Sequence, residues 1–208
     1  PCTKHNWLVN SAKELTRVMH EAFYVATSGR PGPVVIDIPK DVQFQKGEYV
    51  GPQNVVHKTY RPTIKGDINK IKEAVELIAH AKKPLFYTGG GIINSGPLAS
   101  QLMRDFVHMT GFPTLMGLGA FAASDKQWLG MTGMHGTYEA NNAMHDCDVM
   151  INLGARFDDR VTGRVDAFSP ESKKIHVDID ASSINKIIHV DVGIVGDAAH
   201  VLEDMIRI

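Results

Sequence analysis

The sequence is poor in the features that mark specialised classes of protein. Of its 208 residues only two are cysteine, Cys2 and Cys147. That is no disulfide framework, and such usage suits a reducing, cytoplasmic setting. There is no C-x-x-C pair, and none of the ten histidines falls in an H-E-x-x-H spacing, so no metal is assigned. A G-x-S-x-G nucleophile elbow and a Walker-type phosphate loop are both lacking, which leaves covalent catalysis without support. Neither sign of charge dominates: 22 Lys and Arg stand against 23 Asp and Glu, a net charge of -1. A chain built to grip nucleic acid or an anionic membrane would show a basic excess. No apolar run approaches the roughly 20 residues a bilayer requires. Pro33 to Ile38, apolar but for Asp37, is of strand length. The chain begins at Pro1, with no initiator Met and no basic-then-apolar leader, and so reads as processed or as an excerpt of a longer chain.

What remains is ordinary for a globular protein: 43% hydrophobic, 22% charged, 19 Gly and 10 Pro, with length enough for a sizeable core. Leu15, Val18, Met19, Ala22 and Val25 recur at helical spacing, and Ser11 with Glu14 forms a capping-box pattern at the start. Gly29 ends this helix. The run Val34 to Ile38 reads as a strand buried on both faces. From Gln43 to Lys65 the periodicity disappears, which predicts a linker between domains.

A regular alternation follows. Asp67 caps a helix with Ile68, Ile71, Val75 and Ile78 on one face. Pro84 to Thr88 is a strand ending in Gly89-Gly90-Gly91. Ser95 to Thr110 is a helix with Leu98, Leu102, Phe106 and Met109 inward. Pro113 to Met116 is a strand ending in Gly117-Leu118-Gly119. Ala120 to Gly136 is irregular, and Thr137 to His145 is helical. Val149 to Leu153 is a strand ending in Gly154, Lys174 to Ile179 a strand ending in acidic residues, Ile194-Val195 a short strand, and Ala198 to Ile206 a helix. Strands alternating with helices predict an α/β fold with a parallel sheet covered on both faces.

The chemistry gathers at strand ends. In open α/β sheets ligands bind beyond the carboxyl ends of the strands, and glycine lets backbone N–H groups approach a phosphate. Gly89 to Gly91, Gly117 with Gly119, and Gly154 therefore suggest a nucleotide or dinucleotide site, although βα turns also need glycine for steric reasons. The NAD fingerprint is absent, because Asn94 stands where G-x-G-x-x-G wants its third glycine. Asp178, at a later strand end, suits ribose hydroxyls. Arg156-Phe157-Asp158-Asp159-Arg160 offers two guanidinium groups to an anion, or else an internal ion-pair network. Gly130 to Gly136 places Met131 and Met134 between glycines, where thioethers can line a flat aromatic ligand.

Several of these segments, in order, resemble a known family. Ser28 to Asp41 is similar to the end of the pyrimidine-binding domain of thiamine-diphosphate enzymes. Gly117 to Phe121, Gly133 to Gly136 and Gly154 to Gly163 resemble the catalytic large subunits of acetolactate (acetohydroxyacid) synthases, and the resemblance spans the chain. It implies residues 1–46 as the tail of a first domain, 47–65 as linker, and 66–208 as a Rossmann-like middle domain that binds FAD. The FAD contacts it implies are Arg30, Gly91, Leu115, Met116, Thr132, Gly133, Met134, His135, Gly154, Ala155, Arg156, Phe157, Asp158, Arg160, Asp178, Ile179, Asp197 and Ala198. Arg160 and Lys40 are implied in the substrate channel, with Met134, His135 and Asp159 lining it.

The implied reaction is carboligation. Pyruvate loses carbon dioxide and its remainder joins a second 2-ketoacid, giving acetolactate or acetohydroxybutyrate, a first step of branched-chain amino-acid synthesis. The implied activating glutamate lies upstream and the motif for magnesium and diphosphate downstream, so this chain alone is expected to be inactive. A homo-oligomer, a small regulatory subunit and a cytoplasmic setting are implied for the full-length enzyme. The chain departs from the family by being shorter between Pro113 and Thr114 and by Ala122 where proline is common. Two alternatives stay open, a non-catalytic dinucleotide-binding or regulatory module and, more weakly, an NAD-consuming deacylase without its zinc cysteines.

Overall fold

Apolar residues that repeat on both faces of a five-residue strand have to be covered twice, and that requirement organises most of this chain. The structure, a computed structural model, describes residues 2–51, 57, 59–112, 114–116 and 118–208. It divides into two compact units, Pro1–Pro62 and Thr63–Ile208.

In the first unit, strand β1 (Asn6–Leu8) leads to helix α1 (Ala12–Thr27), strand β2 (Val35–Asp37) and a single turn of helix, α2 (Lys40–Gln43). β1 and β2 pair in parallel, Trp7 opposite Ile36, and Val9, Val18 and Val42 form a small core beneath them. β1 is too short for a periodic signal and is absent from the sequence reading. β2 corrects that reading: it is not buried on both faces here, since Val35 is 48% exposed. Ser11 is the N-cap of α1, but its side chain makes no capping hydrogen bond, so the predicted capping box does not form. At the other end of α1 the Lys4 ammonium closes the helix, donating to the carbonyls of Val25 and Ser28 and to the Tyr60 hydroxyl.

The second unit runs α3 (Ile68–His80), β3 (Pro84–Thr88), α4 (Gly90–Asn94), α5 (Pro97–Thr110), β4 (Thr114–Met116), β5 (Trp128–Gly130), α6 (Tyr138–Asp146), β6 (Val149–Leu153), α7 (Asp159–Thr162), β7 (Lys173–Asp178), β8 (Val192–Val195) and α8 (Ala198–Arg207). The six strands form one parallel sheet in the order β5-β4-β3-β6-β7-β8. The chain starts at the centre, winds outward to one edge, then returns to the centre and winds to the other. That is a doubly wound sheet, and its switch point lies between β3 and β6.

Alternate residues of the strands feed two cores. Phe86, Ile151, Leu153, Ile175, Val177 and Ile194 face one side with Ile71, Met103, Phe106 and Leu202 from α3, α5 and α8. Leu85, Tyr87 and Met150 face the other with Met144, Phe157 and Phe168. Each such fully buried apolar side chain contributes about 1.5–3 kcal/mol. Asp67 caps α3 through the Asn69 N–H, as its sequence suggests.

Three readings need correction. The helix expected over Ser95 to Thr110 is α5, which opens at Pro97 after Gly96 at a φ of 97°, and a separate short helix, α4, occupies the glycine stretch before it that the sequence reading leaves non-helical. The inward face of α5 is Ala99, Met103, Phe106 and Val107. Leu98 and Met109 point outward, 55% and 62% exposed. α5 carries apolar residues around most of its circumference, so two faces satisfied the helical spacing and only packing against α8 decides between them. Third, the stretch read as irregular contains β5, which bonds to β4 with a bulge between Thr114 and Leu115.

Two aspartates pin the amino edge of the sheet. The Asp148 carboxylate accepts from the N–H groups of Lys82 and Lys83, at 2.6 and 2.9 Å, just before β3. The Asp191 carboxylate accepts from the Lys174 N–H and the Lys173 ammonium, both at 2.9 Å. Burial pushes both carboxyls up, but these donors outweigh it and hold both below the ordinary value. A depressed folded-state pKa gives stability that is present above the unfolded value and lost as pH falls through the folded one. The urea midpoint should therefore fall steeply below about pH 4, and the slope should flatten in Asp148→Asn and Asp191→Asn. An unchanged slope in both variants would remove these two groups from the acid transition.

Candidate functional site

Three turns meet beyond the carboxyl ends of β3, β6 and β7. Their glycines are there partly for one another. The Gly91 N–H donates to the Gly154 carbonyl at 2.9 Å, and the Gly89 N–H to the Leu153 carbonyl at 3.0 Å. A methyl group on Gly91 would sit 2.5 Å from the Gly154 Cα, and one on Gly89 2.5 Å from the Ala155 Cα. Gly154 also has a φ of 64°, a conformation costly for any residue with a Cβ. The two turns at the switch point thus touch backbone to backbone. Gly90 differs, since a Cβ there would meet nothing within 4 Å. It presents open backbone where a ligand would approach.

Asn152 fixes the turn after β6. It is fully buried in an otherwise apolar strand, and its amide donates to the Ala155 carbonyl at 2.8 Å while accepting from the Ala155 N–H at 3.0 Å. Phe157 then turns inward and stacks on Tyr87, 5.8 Å between ring centres. Burial, and after it the Asp158 charge, push the Tyr87 phenol up, with Arg156 opposing. Arg156 and Arg160 flank the buried Phe157 and point outward, their side chains 67% and 71% exposed. Each has an aspartate nearby, Arg156 with Asp158 at 3.5 Å and Arg160 with Asp159 at 3.8 Å. Exposed pairs of that length are worth little, so both guanidinium groups remain available to an anion.

The loop from Thr132 to Gly136 docks on this segment. The Met134 N–H donates to the Arg160 carbonyl at 3.0 Å, and a Cβ on Gly133 would collide with that same oxygen. Asn141 on α6 holds the loop, accepting from the Gly133 N–H at 2.8 Å and donating to the Gly133 carbonyl at 3.1 Å. Thr132 is buried, its hydroxyl on the Asn141 side-chain oxygen, while Met134 and His135 are exposed.

At the far side, Asp178 ends β7. One carboxylate oxygen accepts from the Asp180 N–H at 2.8 Å, and its backbone carbonyl accepts from the Gly196 N–H at 3.0 Å. Ile179 follows, half-buried. Asp197 caps α8 through the Ala199 N–H and accepts from the Ser95 hydroxyl at 2.6 Å, which ties the start of α8, and Ala198 with it, to the end of α4.

The residues singled out in the second unit thus fall on one edge of the sheet. Gly91, Thr132 to His135, Gly154 to Asp158, Asp159, Arg160, Asp178, Ile179, Asp197 and Ala198 all lie on the turns at that edge. Leu115 and Met116 end β4, and their side chains lie outside the description, as do Gly117 and Pro113 with its junction to Thr114. Arg30 and Lys40 belong to the first unit, Arg30 in the turn after α1 and Lys40 at the start of α2. Sequence reasoning missed Asn152, Asn141, Tyr87 and Ser95. A lone asparagine inside a strand that is otherwise apolar was the one available signal.

A doubly wound parallel sheet with glycine turns at its switch point, outward guanidinium groups and carboxylates at neighbouring strand ends makes this an α/β domain of Rossmann-like fold. Residues 71–205 match the family described as "Thiamine pyrophosphate enzyme, central domain", and the chain belongs to that family. It is 45% identical over 213 residues to the acetolactate synthase isozyme 3 large subunit of Escherichia coli, which covers all of this chain and 37% of that protein. It is 47% identical over 209 residues to an acetolactate synthase of Mycobacterium bovis, 99% of this chain and 34% of the other. The acetolactate synthase large subunit of Corynebacterium glutamicum is 46% identical over 210 residues, 100% of this chain and 33% of the other. The chain therefore spans about a third of the length of the curated relatives it matches. Among solved structures, a protein from Mycobacterium smegmatis assigned to the thiamin diphosphate-dependent enzymes shares the fold, with a TM-score of 0.79 at 20% identity, over all of this chain and 40% of that one. Among the described residues no helix is long and apolar enough to cross a membrane.

Proposed function

We propose that this chain is the central portion of an acetolactate synthase large subunit, and that its second unit binds FAD at the carboxyl edge of the sheet. What supports the reading is the identity of 45–47% along the whole chain to relatives of that name. The glycine turns and guanidinium groups that carried the sequence resemblance also gather on one edge. Residues 1–46 are then the tail of a pyrimidine-binding domain, 47–65 a linker and 66–208 the flavin domain. The parent would condense pyruvate with pyruvate or 2-ketobutyrate in the cytoplasm, as a homo-oligomer with a small regulatory subunit. It would bind no nucleic acid and no membrane.

The chain's residues suit such a ligand. Arg156 and Arg160 can meet a diphosphate or a carboxylate in the bidentate fashion of guanidinium groups. Asp178 offers a carboxylate oxygen to ribose hydroxyls, and Gly90 leaves backbone open to close approach. Gly91, Leu115, Met116, Thr132 to His135, Gly154 to Asp158, Asp178, Ile179, Asp197 and Ala198 complete the FAD contacts of this unit. In the parent, thiamine diphosphate with its magnesium ion supplies the electron sink that lets a 2-ketoacid lose carbon dioxide. Carboligation leaves the flavin with no electrons to carry, so FAD is structural here. Arg160 holds the carboxylate of the second ketoacid, and Met134, His135 and Asp159 wall the approach.

Flavin titration tests this. The purified chain should bind FAD saturably, with quenched flavin fluorescence and a raised melting temperature, and should form no acetolactate. The full-length parent should form it. Arg156→Ala with Arg160→Ala should weaken FAD binding at least tenfold, since each charged hydrogen bond is worth about 1.5–3 kcal/mol. A folded chain that prefers NAD, or a parent that makes no acetolactate, would refute the proposal.

A further inference from the structure

The loop that joins β5 to α6 has little freedom in its backbone. Its base is closed by the Thr137 N–H on the Met131 carbonyl at 3.1 Å, and its middle by the Gly136 N–H on the Gly133 carbonyl at 2.9 Å. A Cβ on Gly136 would lie 2.6 Å from the Met131 carbonyl oxygen. One side chain spans the loop. Asn141 accepts at Oδ1 from the Thr132 hydroxyl at 3.0 Å and from the Gly133 N–H at 2.8 Å, and its amide donates to the Gly133 carbonyl at 3.1 Å. The helix in turn fixes Asn141, whose N–H donates to the Thr137 carbonyl at 3.1 Å, while the Thr137 hydroxyl caps α6 through the Ala140 N–H. The tip differs. The Met134 N–H is tied to the Arg160 carbonyl at 3.0 Å, yet the Met134 side chain is 65% exposed and His135 is exposed beside it. A thioether held out in water on an ordered loop gains from burial only when something lies against it.

We propose that Asn141 is a positioning residue that orders the 131–137 loop before any ligand arrives, and so sets ligand affinity through Met134. This rests on the reading that the edge binds a flavin dinucleotide against that loop. Fixing loose backbone costs conformational entropy. A loop already fixed in the free protein leaves none of that cost to the binding step. Asn141 supplies the fixing from outside the loop, with three hydrogen bonds onto two consecutive residues, Thr132 and Gly133. Without them the Gly133 N–H loses its acceptor and the tip samples other conformations. The bond between the Met134 N–H and the Arg160 carbonyl then opens more often. That bond joins the backbones of the two residues whose exposed side chains, a thioether and a guanidinium group, face the candidate ligand edge together. Asn141 therefore acts through the loop, and its removal spoils the presentation of Met134 while β5, α6 and the core beneath them stay formed.

The test combines amide exchange with FAD titration on the whole chain. Asn141→Leu keeps the branched shape of the side chain and removes all three hydrogen bonds. Asn141→Asp keeps the acceptor for the Thr132 hydroxyl and the Gly133 N–H, and the Gly133 carbonyl it abandons still has the Gly136 N–H. In the free wild-type chain the Gly133 and Met134 amides should be protected, and bound FAD should add little. In Asn141→Leu both should exchange at least about tenfold faster, the weight of one ordinary hydrogen bond, with the Thr137 amide at the loop base unchanged. The FAD dissociation constant should rise by about the same factor, and saturating FAD should restore the protection. In Asn141→Asp exchange and affinity should stay within about threefold of wild type. Combined with Met134→Ala, Asn141→Leu should cost less affinity than the two single losses added, because both remove the same presented side chain. Melting curves check that each variant is folded. Equal exchange at Gly133 and Met134 in wild type and Asn141→Leu, equal FAD affinity, or fully additive losses with Met134→Ala would each overturn the proposal. A folded chain that binds no FAD would instead refute the flavin reading, and the exchange arm would still decide whether Asn141 orders the loop.

Discussion

Gly154→Ala is expected to destabilise the second unit by about 2–5 kcal/mol and to abolish ligand binding at the sheet edge. Two costs add. A left-handed backbone costs a residue with a Cβ about 1–2 kcal/mol, and Gly154 has a φ of 64°. Forcing a methyl into a filled space costs about 1–3 kcal/mol, and the new Cβ would stand 2.5 Å from the Gly91 Cα. No side chain can swing aside, since both surfaces are backbone. For a unit of this size the melting temperature should fall by on the order of 10 °C, readable by calorimetry. Gly90→Ala is the control: its Cβ enters open space, so the fold should survive while any ligand that lies against that backbone binds less well. A Gly154→Ala protein melting within about 2 °C of wild type would mean that the two turns do not meet as described.

The second large effect is expected from Asn152→Leu, a change that keeps the branched shape of the side chain and raises hydrophobicity in a fully buried position. It should nonetheless destabilise by about 2–5 kcal/mol. It strips the partner from both the N–H and the carbonyl of Ala155, which is itself buried, and each buried orphan costs about 1–3 kcal/mol. Hydrogen exchange at the Ala155 amide gives the local readout, protected in wild type and fast in the variant. Asn152→Asp keeps the acceptor for the Ala155 N–H but loses the donor to its carbonyl and buries a charge, so it should fail as well. If Asn152→Leu were as stable as wild type with Ala155 still protected, the turn would be held by something else.

These two positions also show what was legible in the sequence. The strands β3 and β6 were readable because five consecutive buried residues closed by glycine match few other local structures. β1 and β5 were not, being three residues long with no β-branched residue to mark them. The candidate edge was read from its glycines, but the reason offered was incomplete: Gly91 and Gly154 are required by their backbone contact with each other, whatever binds there. Arg156 and Arg160 were legible as a charged cluster, and their outward aim follows from Phe157 turning in between them. Asn141 and Asn152 escaped notice because their partners, mainly backbone groups of a turn, have no sequence signature. The buried face of α5 went wrong for the opposite reason, an excess of signal, since Leu98 and Met109 are as apolar as Met103 and Val107.

The doubly wound order has a consequence for how the molecule assembles in time. β3 and β6 lie side by side, Pro84 opposite Val149, although about 65 residues of chain separate them. Pairings of such long range form only after a large loop-closure entropy has been met, and they slow folding. The contact between Gly91 and Gly154 cannot exist before that pairing does. The carboxyl edge of the sheet should therefore be among the last features to appear as the chain folds. A ligand bound there should leave the folding rate nearly untouched and act almost wholly by slowing unfolding, as interactions absent from the transition state do.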